Sequence, residues 1–446
     1  MKGVKLFMKK IQHFFLFFLI FLLSIALASC TSSNLKDYAG GSSPEGYAPD
    51  ADFDSSFKGD FGTGDSYAPT EPDFSEDASD EKIPDEEQNE VPKPLAGQIT
   101  SSAWSDHKNY DFWTNLFKSD QENNKGLFSD FFTTLNSYNN SINTQKMIKV
   151  KITNNTIPAI NTEVIIKNDN YSFKALTNVN GIAYLFLPVE PVFPYIIEYN
   201  NESYKLEEYS SETIELTTSI SPQEISNYNL DLMFVVDTTG SMGDELNYLK
   251  EEIKDVIERI DTDQKIRLSL LFYRDEGDQY VTNFFDFTTN INEQINNINL
   301  QKSSGGGDFE EAVDVALNLG ITQGSWNDYS NKILIHVLDA PPHSTKQNLN
   351  LFANSLLTAA QKGIRIIPVA SSGINKWTEF LLRTEALITG GTYTYITNHS
   401  GIGGDHIDAT VGTVIVEYLN DMLVRLINEY YTGIETTPIP YDQVQK

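Results

Sequence analysis

The chain leaves an apolar run at VVDTTGSMGDE, residues 235–245, and sets Asp237, Thr239 and Ser241 at alternate positions around a glycine. One carboxylate and two hydroxyls so spaced converge on a point if the backbone turns tightly. Several chemistries are excluded. A phosphate-binding loop of the GxxxxGKS/T type needs a lysine that follows neither Gly240 nor Gly243, and a dinucleotide fingerprint needs three spaced glycines. A serine nucleophile at Ser241 asks for GxSxG, where the chain reads GSM. What remains is a hard cation. Carboxylate and hydroxyl oxygens suit magnesium, which takes about six oxygens at roughly 2.1 Å. Ser241 also reads as the cap of the next helix, with Asp244 closing a capping box. The two roles are compatible, and capping alone leaves Asp237 and Thr239 unexplained.

The elements that must position these groups follow from the apolar pattern. Strands are expected at 232–236, 266–273, 332–338, 364–370 and 392–396, with VTNFFDFT as an antiparallel edge. Between them lie helical periodicities. Leu246, Leu249, Ile253, Val256, Ile257 and Ile260 share one face, as do Phe309, Ala312, Val313, Ala316 and Leu317, and a last helix is expected from about Val411 to Tyr430. Near-continuous apolar strands alternating with helices predict an α/β fold with a doubly wound, mostly parallel sheet. Asp237 then stands at a strand's carboxyl end, where such sheets bind ligands.

DTTGSM resembles the DxSxS loop of von Willebrand factor type A domains, with Thr239 and Ser241 in the two hydroxyl positions. The strand KILIHVLDAPPH ends in Asp339, which matches the aspartate that this family's metal-ion-dependent adhesion site takes from a later strand. VLDAPPH, YRDEGD at 273–278 and GGGDFEEAV at 305–313 are similar to the hemicentin-related branch. The likeness spans a Rossmann-like domain at 228–432. It implies a bound Mg2+ (or Mn2+ or Ca2+) with one position open to a carboxylate from a protein partner. In the second loop, where many members carry threonine, this chain has Gly307 followed by Asp308. Asp308 is therefore the candidate for the missing oxygen, or an N-cap with Glu311 three residues on.

Other regions set the context. Lys2, Lys5, Lys9 and Lys10 precede an apolar run from Phe14 to Leu27, shorter than the ~20 residues of a bilayer span, and LASC follows. The single cysteine, Cys30, ends that motif, which resembles the lipobox of bacterial lipoproteins. Residues 1–29 are thus expected to be a signal peptide, Cys30 the lipidated residue, and the exported chain anchored to the cell or outer membrane. No disulfide is available within the chain. Residues 30–95 are acidic and poor in apolar side chains, as in a disordered spacer, and the net charge of −30 argues against nucleic acid as a partner. Residues 96–145 are aromatic, with helices expected near Ser105 and Ser129. Short alternating runs at 146–218 predict a small antiparallel β-sandwich, and TNVNGIAYLFL within it resembles carboxypeptidase regulatory-like or transthyretin-like domains.

The expected function is non-enzymatic: adhesion or assembly through a metal-bridged protein contact. The alternatives are an enzyme or an enzyme's regulatory subunit, and a structural lipoprotein with a degenerate metal site. Of the histidines, His336 reads as a core or sheet-face residue, and His399 and His406 as flanks of a Gly-rich loop. His343 allows a Ser241–His343–Asp339 catalytic arrangement to be drawn, although Pro341 and Pro342 more simply fix the loop for Asp339. The acids of YRDEGDQ lack the spacing of an EF-hand and read as a solvated border of the binding face.

Overall fold

A computed structural model describes residues 94–119, 126–137, 142–220, 229–260 and 265–444. The signal peptide, Cys30 and nearly all of the acidic spacer lie outside the described residues. In chain order the structure has β1 (Thr100–Trp104), α1 (Tyr110–Asn115) and α2 (Ser129–Asn136). Strands β2 (Met147–Asn154), β3 (Ile157–Pro158), β4 (Glu163–Asn168), β5 (Tyr171–Leu176), β6 (Ile182–Phe186), β7 (Tyr195–Tyr199), β8 (Glu202–Leu206) and β9 (Ile214–Thr217) follow. Next come β10 (Asn229–Asp237), α3 (Gly243–Arg259), β11 (Lys265–Tyr273), β12 (Thr282–Thr288), α4 (Ile291–Asn299), α5 (Val313–Gln323) and β13 (Ser330–Leu338). The chain continues through α6 (Lys346–Lys362), β14 (Ile364–Ala370), α7 (Lys376–Thr389), β15 (Tyr393–Ile396), β16 (Val416–Tyr418) and α8 (Leu419–Thr432).

The main sheet has the order β12-β11-β10-β13-β14-β15-β1-β16. Its centre is parallel, and β12 and β1 run against it. Strand β10 is buried along almost its whole length because helices cover both faces. Leu232, Phe234 and Val236 pack with Leu246, Leu249 and Ile253 of α3 and Met422 and Leu423 of α8. Met233 and Val235 point the other way, into Val313, Ala316 and Leu317 of α5, Phe352 of α6 and Phe380 of α7. The period of two along β10 thus divides the helices into two layers, the doubly wound α/β fold expected.

Three expectations are corrected. Residues 96–145 are not simply helical: Thr100–Trp104 joins the main sheet between β15 and β16, and the first helix starts at Tyr110 rather than near Ser105. The strand is TSSAW, whose Thr100 and Ser102 hydroxyls donate to the carbonyls of Thr397, just past β15, and Ile415, just before β16, so it lacks an apolar signature. The last helix starts at Leu419, since Val416–Tyr418 is itself a strand. Phe309 is 43% exposed and precedes α5 instead of lying on its buried face.

Strand β1 is tied to α3 as well as to the sheet. The Glu252 carboxylate, buried mid-helix, accepts from the amides of Gly97, Gln98 and Ile99 at 2.9–3.0 Å. Downstream, Asp106 pairs with the buried Arg383 of α7, whose guanidinium lies over the Trp113 ring at 4.9 Å. Trp113 and Phe128 in turn pack on Phe380.

Between β1 and β10 the chain builds two four-stranded sheets, β3-β2-β6 with β9 beside β2, and β5-β4-β7-β8. The β2–β9 pair is parallel, so an antiparallel arrangement throughout is corrected. Sequence reading also missed β5 and β8, whose Lys and Ser residues blur the apolar alternation. A two-residue turn at Asn200–Asn201, both at positive φ, joins β7 to β8. These sheets meet the carboxyl ends of three helices. A Cβ on the cap Gly363 would come within 3.1 Å of Leu176, one on Gly390 within 3.4 Å of Tyr184, and one on Gly433 within 2.5 Å of Asn180. Gly363 directly precedes β14, so its contact lies at the amino ends of the parallel strands, opposite the carboxyl ends where Asp237 stands.

Replacing Glu252 by alanine leaves three amides without their acceptor, of which that of Ile99 is the buried one, and should destabilise the fold by about 1–3 kcal/mol, the cost of one unmet buried group. Denaturant unfolding of the full chain measures it; an unchanged midpoint refutes the tie between β1 and α3.

Candidate functional site

Strand register builds the site. Val236 of β10 lies level with Val337 of β13, so Asp237 and Asp339 leave adjacent strand tips. Both are buried. Asp237 Oδ1 accepts from the Thr239 amide at 2.8 Å and from its hydroxyl at 2.7 Å. The Thr239 and Ser241 hydroxyls are 3.1 Å apart. Thr238, between them, turns the other way: its amide and hydroxyl both donate to the Tyr273 carbonyl, at 2.9 and 2.8 Å. The alternate spacing in the sequence is thus an alternate facing in space. Ser241 does not cap α3, whose N-cap is Met242 with no side-chain bond; its hydroxyl lies beside that of Thr239 and favours the ionised form of Asp339.

The second loop docks onto the first. The Gly240 amide donates to the Gly305 carbonyl and the Ser304 amide to the Thr238 carbonyl, each at 3.0 Å. Asp308 stands exposed on this loop and its charge bears on His343. It does not cap α5 either, because that helix begins at Val313 with Ala312 as its N-cap and no side-chain bond, so the Asp308–Glu311 capping box is absent. The acid this loop brings towards Asp237 is Glu311, which is buried. Its amide donates to the Pro341 carbonyl at 3.0 Å, and Glu311 forms a bridge with Pro342. Pro341 and Pro342 therefore join the loop after Asp339 to the second loop.

YRDEGD is more than a solvated border. Asp278 accepts from the Gly306 amide at 2.9 Å and from the Asp275 amide at 3.1 Å, so it holds the second loop in place. His343 pairs with Asp275 at 2.8 Å and lies 3.5 Å from Glu310; the structure does not assemble it with Ser241 and Asp339. Burial opposes its charge, yet Asp275, Glu310 and Asp308 together hold its pKa above the ordinary value. His336 is buried mid-strand, 3.0 Å from Glu385. His399 is exposed beside Tyr441, while His406 is buried with Nε2 on the Ile402 carbonyl.

The electrostatics are lopsided. Asp237 Oδ2, Asp339 Oδ1, Glu311 Oε2 and Glu245 Oε2 are buried without a hydrogen-bond partner. Burial raises the pKa of Asp237, and the Asp339 charge raises it further, against the two bonds from Thr239. Asp339 is raised by burial and by Glu245, against Ser241. Glu311 is pushed up to about 9 by burial and then by Asp237, Asp275, Asp339 and Asp278. Buried polar atoms are rarely left unmet, and like charges this close call for a positive one. The oxygens of Asp237, Thr239, Ser241 and Asp339 suit a hard divalent ion. Among the described residues no three His, Cys, Asp or Glu side chains converge as a ligand set by themselves.

Sequence reading singled out Asp237, Thr239, Ser241 and Asp339, which the structure brings together, and Asp308, which it leaves outside. It missed the parts of Glu311, Asp278 and Glu245. The signal for Glu311 was the acidic pair directly after GGGDF, and for Asp278 the two-residue spacing from Asp275.

Residues 231–400 match the model of the von Willebrand factor type A domain, and that part of the chain is such a domain. An ariadne-like RING finger protein of Acanthamoeba polyphaga mimivirus is 28% identical over 228 residues, 46% of this chain and 21% of that one. An alpha-protein kinase of Dictyostelium discoideum is 30% identical over 125 residues, 26% of this chain and 19% of that one. The chain therefore spans about a fifth of the length of these curated relatives. Among solved structures, BatB of Bacteroides thetaiotaomicron gives a TM-score of 0.33 at 12% identity, covering 45% of this chain and 98% of that one. An aerotolerance-related membrane protein of Bacteroides fragilis gives 0.32 at 12% identity, covering 45% and 100%.

A pH dependence follows from the raised carboxyls. Without a cation the folded state holds protons that the unfolded state has released, so stability falls as pH rises from the ordinary carboxylate range through about 9. In EDTA the melting temperature should drop between pH 6 and pH 8, and Mg2+ should raise it more at pH 8 than at pH 6. A melting temperature independent of both pH and Mg2+ refutes the charged-site assignment.

Proposed function

We propose that this chain is a lipid-anchored surface protein whose von Willebrand factor type A domain holds a divalent cation and binds a protein partner through it. The observation that carries the reading is the pair of buried carboxylates at adjacent strand tips, each with an unmet oxygen, flanked by the Thr239 and Ser241 hydroxyls. Asp237, Thr239, Ser241 and Asp339 would hold Mg2+, or Mn2+ or Ca2+. When bound, the ion supplies a Lewis-acid position that an acidic side chain of the partner fills. Ser241 and Gly240 are exposed, which leaves that side accessible. The role is adhesion or complex assembly without catalysis.

The anchor is read from the motif ending at Cys30. Residues 146–218 are read as a carboxypeptidase regulatory-like spacer, and the domain as a hemicentin-like member of its family. Among the described residues no helix is long and apolar enough to cross a membrane.

Two experiments test the two halves. Calorimetry of the purified full chain should show Mg2+ uptake that Asp237→Ala abolishes, and Mg2+-dependent capture of surface proteins should be lost with that variant and with EDTA. Capture that survives both refutes the metal bridge. Cys30→Ser should move the protein from the membrane fraction to the soluble fraction and abolish labelling by a radioactive fatty acid; unchanged labelling refutes the anchor.

A further inference from the structure

The second loop packs against the first through two backbone bonds, yet its exposed acid, Asp308, stays outside the site. Its buried acid is placed differently. Glu311 is 2% exposed, and its Oε2 has no partner. Its other oxygen lies against Gly306, where a Cβ would sit 2.7 Å from Glu311 Oε1 and 3.4 Å from Thr239 Cβ. Gly306 adopts φ of 73°, and the absent side chain lets the Glu311 carboxylate lie beside the Thr239 side chain. The Glu311 backbone is fixed by Pro341, two residues after Asp339.

The cationic side chains nearby are engaged elsewhere. Arg274 lies over the Tyr280 ring and donates to the Lys302 carbonyl, and His343 pairs with Asp275. Among the described residues Glu311 forms no ion pair. A buried acid beside two others, without a protein counter-charge, is suited to a cation or to water bound on one.

We propose that Glu311 is the second-loop acid of the cation site, in the place expected of Asp308, and that it holds a metal-bound water. The three acids do not converge as a direct ligand set, and magnesium keeps several of its waters in protein sites. Through such a water the Glu311 carboxylate would help hold the cation and would add negative charge to the site. The inference rests on the reading of Asp237 and Asp339 as a cation site.

Calorimetric titration of Mg2+ and Mn2+ into the full-length wild type, Glu311→Gln and Asp308→Asn tests it, with melting of each in EDTA. Glu311→Gln should weaken Mg2+ by at least about tenfold, the usual cost of losing a group that orients a metal ligand. Asp308→Asn should leave the affinity unchanged. In EDTA, Glu311→Gln should melt at or above the wild type, since it removes a buried acid from beside two others. Wild-type affinity in Glu311→Gln overturns the proposal, as does a loss carried by Asp308→Asn. Melting below the wild type in EDTA overturns it in favour of a purely structural role. If Asp237→Ala abolishes uptake and Glu311→Gln does not weaken it, only the assignment of Glu311 falls. A wild type that takes up no cation overturns the site itself and this inference with it.

Discussion

Two carboxylates on neighbouring strand tips, both out of water, repel each other, and much of the surrounding structure manages that repulsion. Parallel pairing of β10 with β13 makes the two tips adjacent, so the proximity is set by the sheet and no local loop adjustment relieves it. Thr239 lends its hydroxyl to Asp237 and Ser241 favours the ionised form of Asp339, but an oxygen stays unmet on both acids. Groups kept this way are costly in a fold stabilised by only a few kcal/mol overall. Their persistence is understandable where a positive charge completes the arrangement.

The loops around this pair form a mutual brace. Thr238 is pinned to Tyr273, Asp278 holds Gly306, Gly305 accepts from Gly240, and Pro341 accepts from Glu311. Each loop is therefore positioned by backbone groups of another, with few long side chains involved. Such bracing leaves less loop entropy to lose on binding, the benefit of preorganisation.

The parts legible in the sequence were those with a strong period or a dense motif. Strands β10, β11, β13 and β14 are long apolar runs because both their faces are covered, and DTTGS carries its chemistry in three alternate positions. Strand β1 was not legible, since TSSAW has no apolar period and its partners lie far along the chain. Asp308 stood out in the sequence because it follows Gly307, where many members of the family carry threonine. In the structure Gly306 turns at positive φ, the chain passes Asp308 outward, and Glu311 returns beneath it. Helix starts were misplaced where capping residues suggested them, since neither Ser241 nor Asp308 caps.

The position of β1 also constrains how the molecule is made. Thr100 bonds to Thr397 across 297 residues of chain, and between them come the smaller sheets and most of the main one. During synthesis β1 emerges early and waits for β15 and β16, so the far side of the main sheet cannot close until nearly the whole chain has been released. Long-range closure of this kind slows folding.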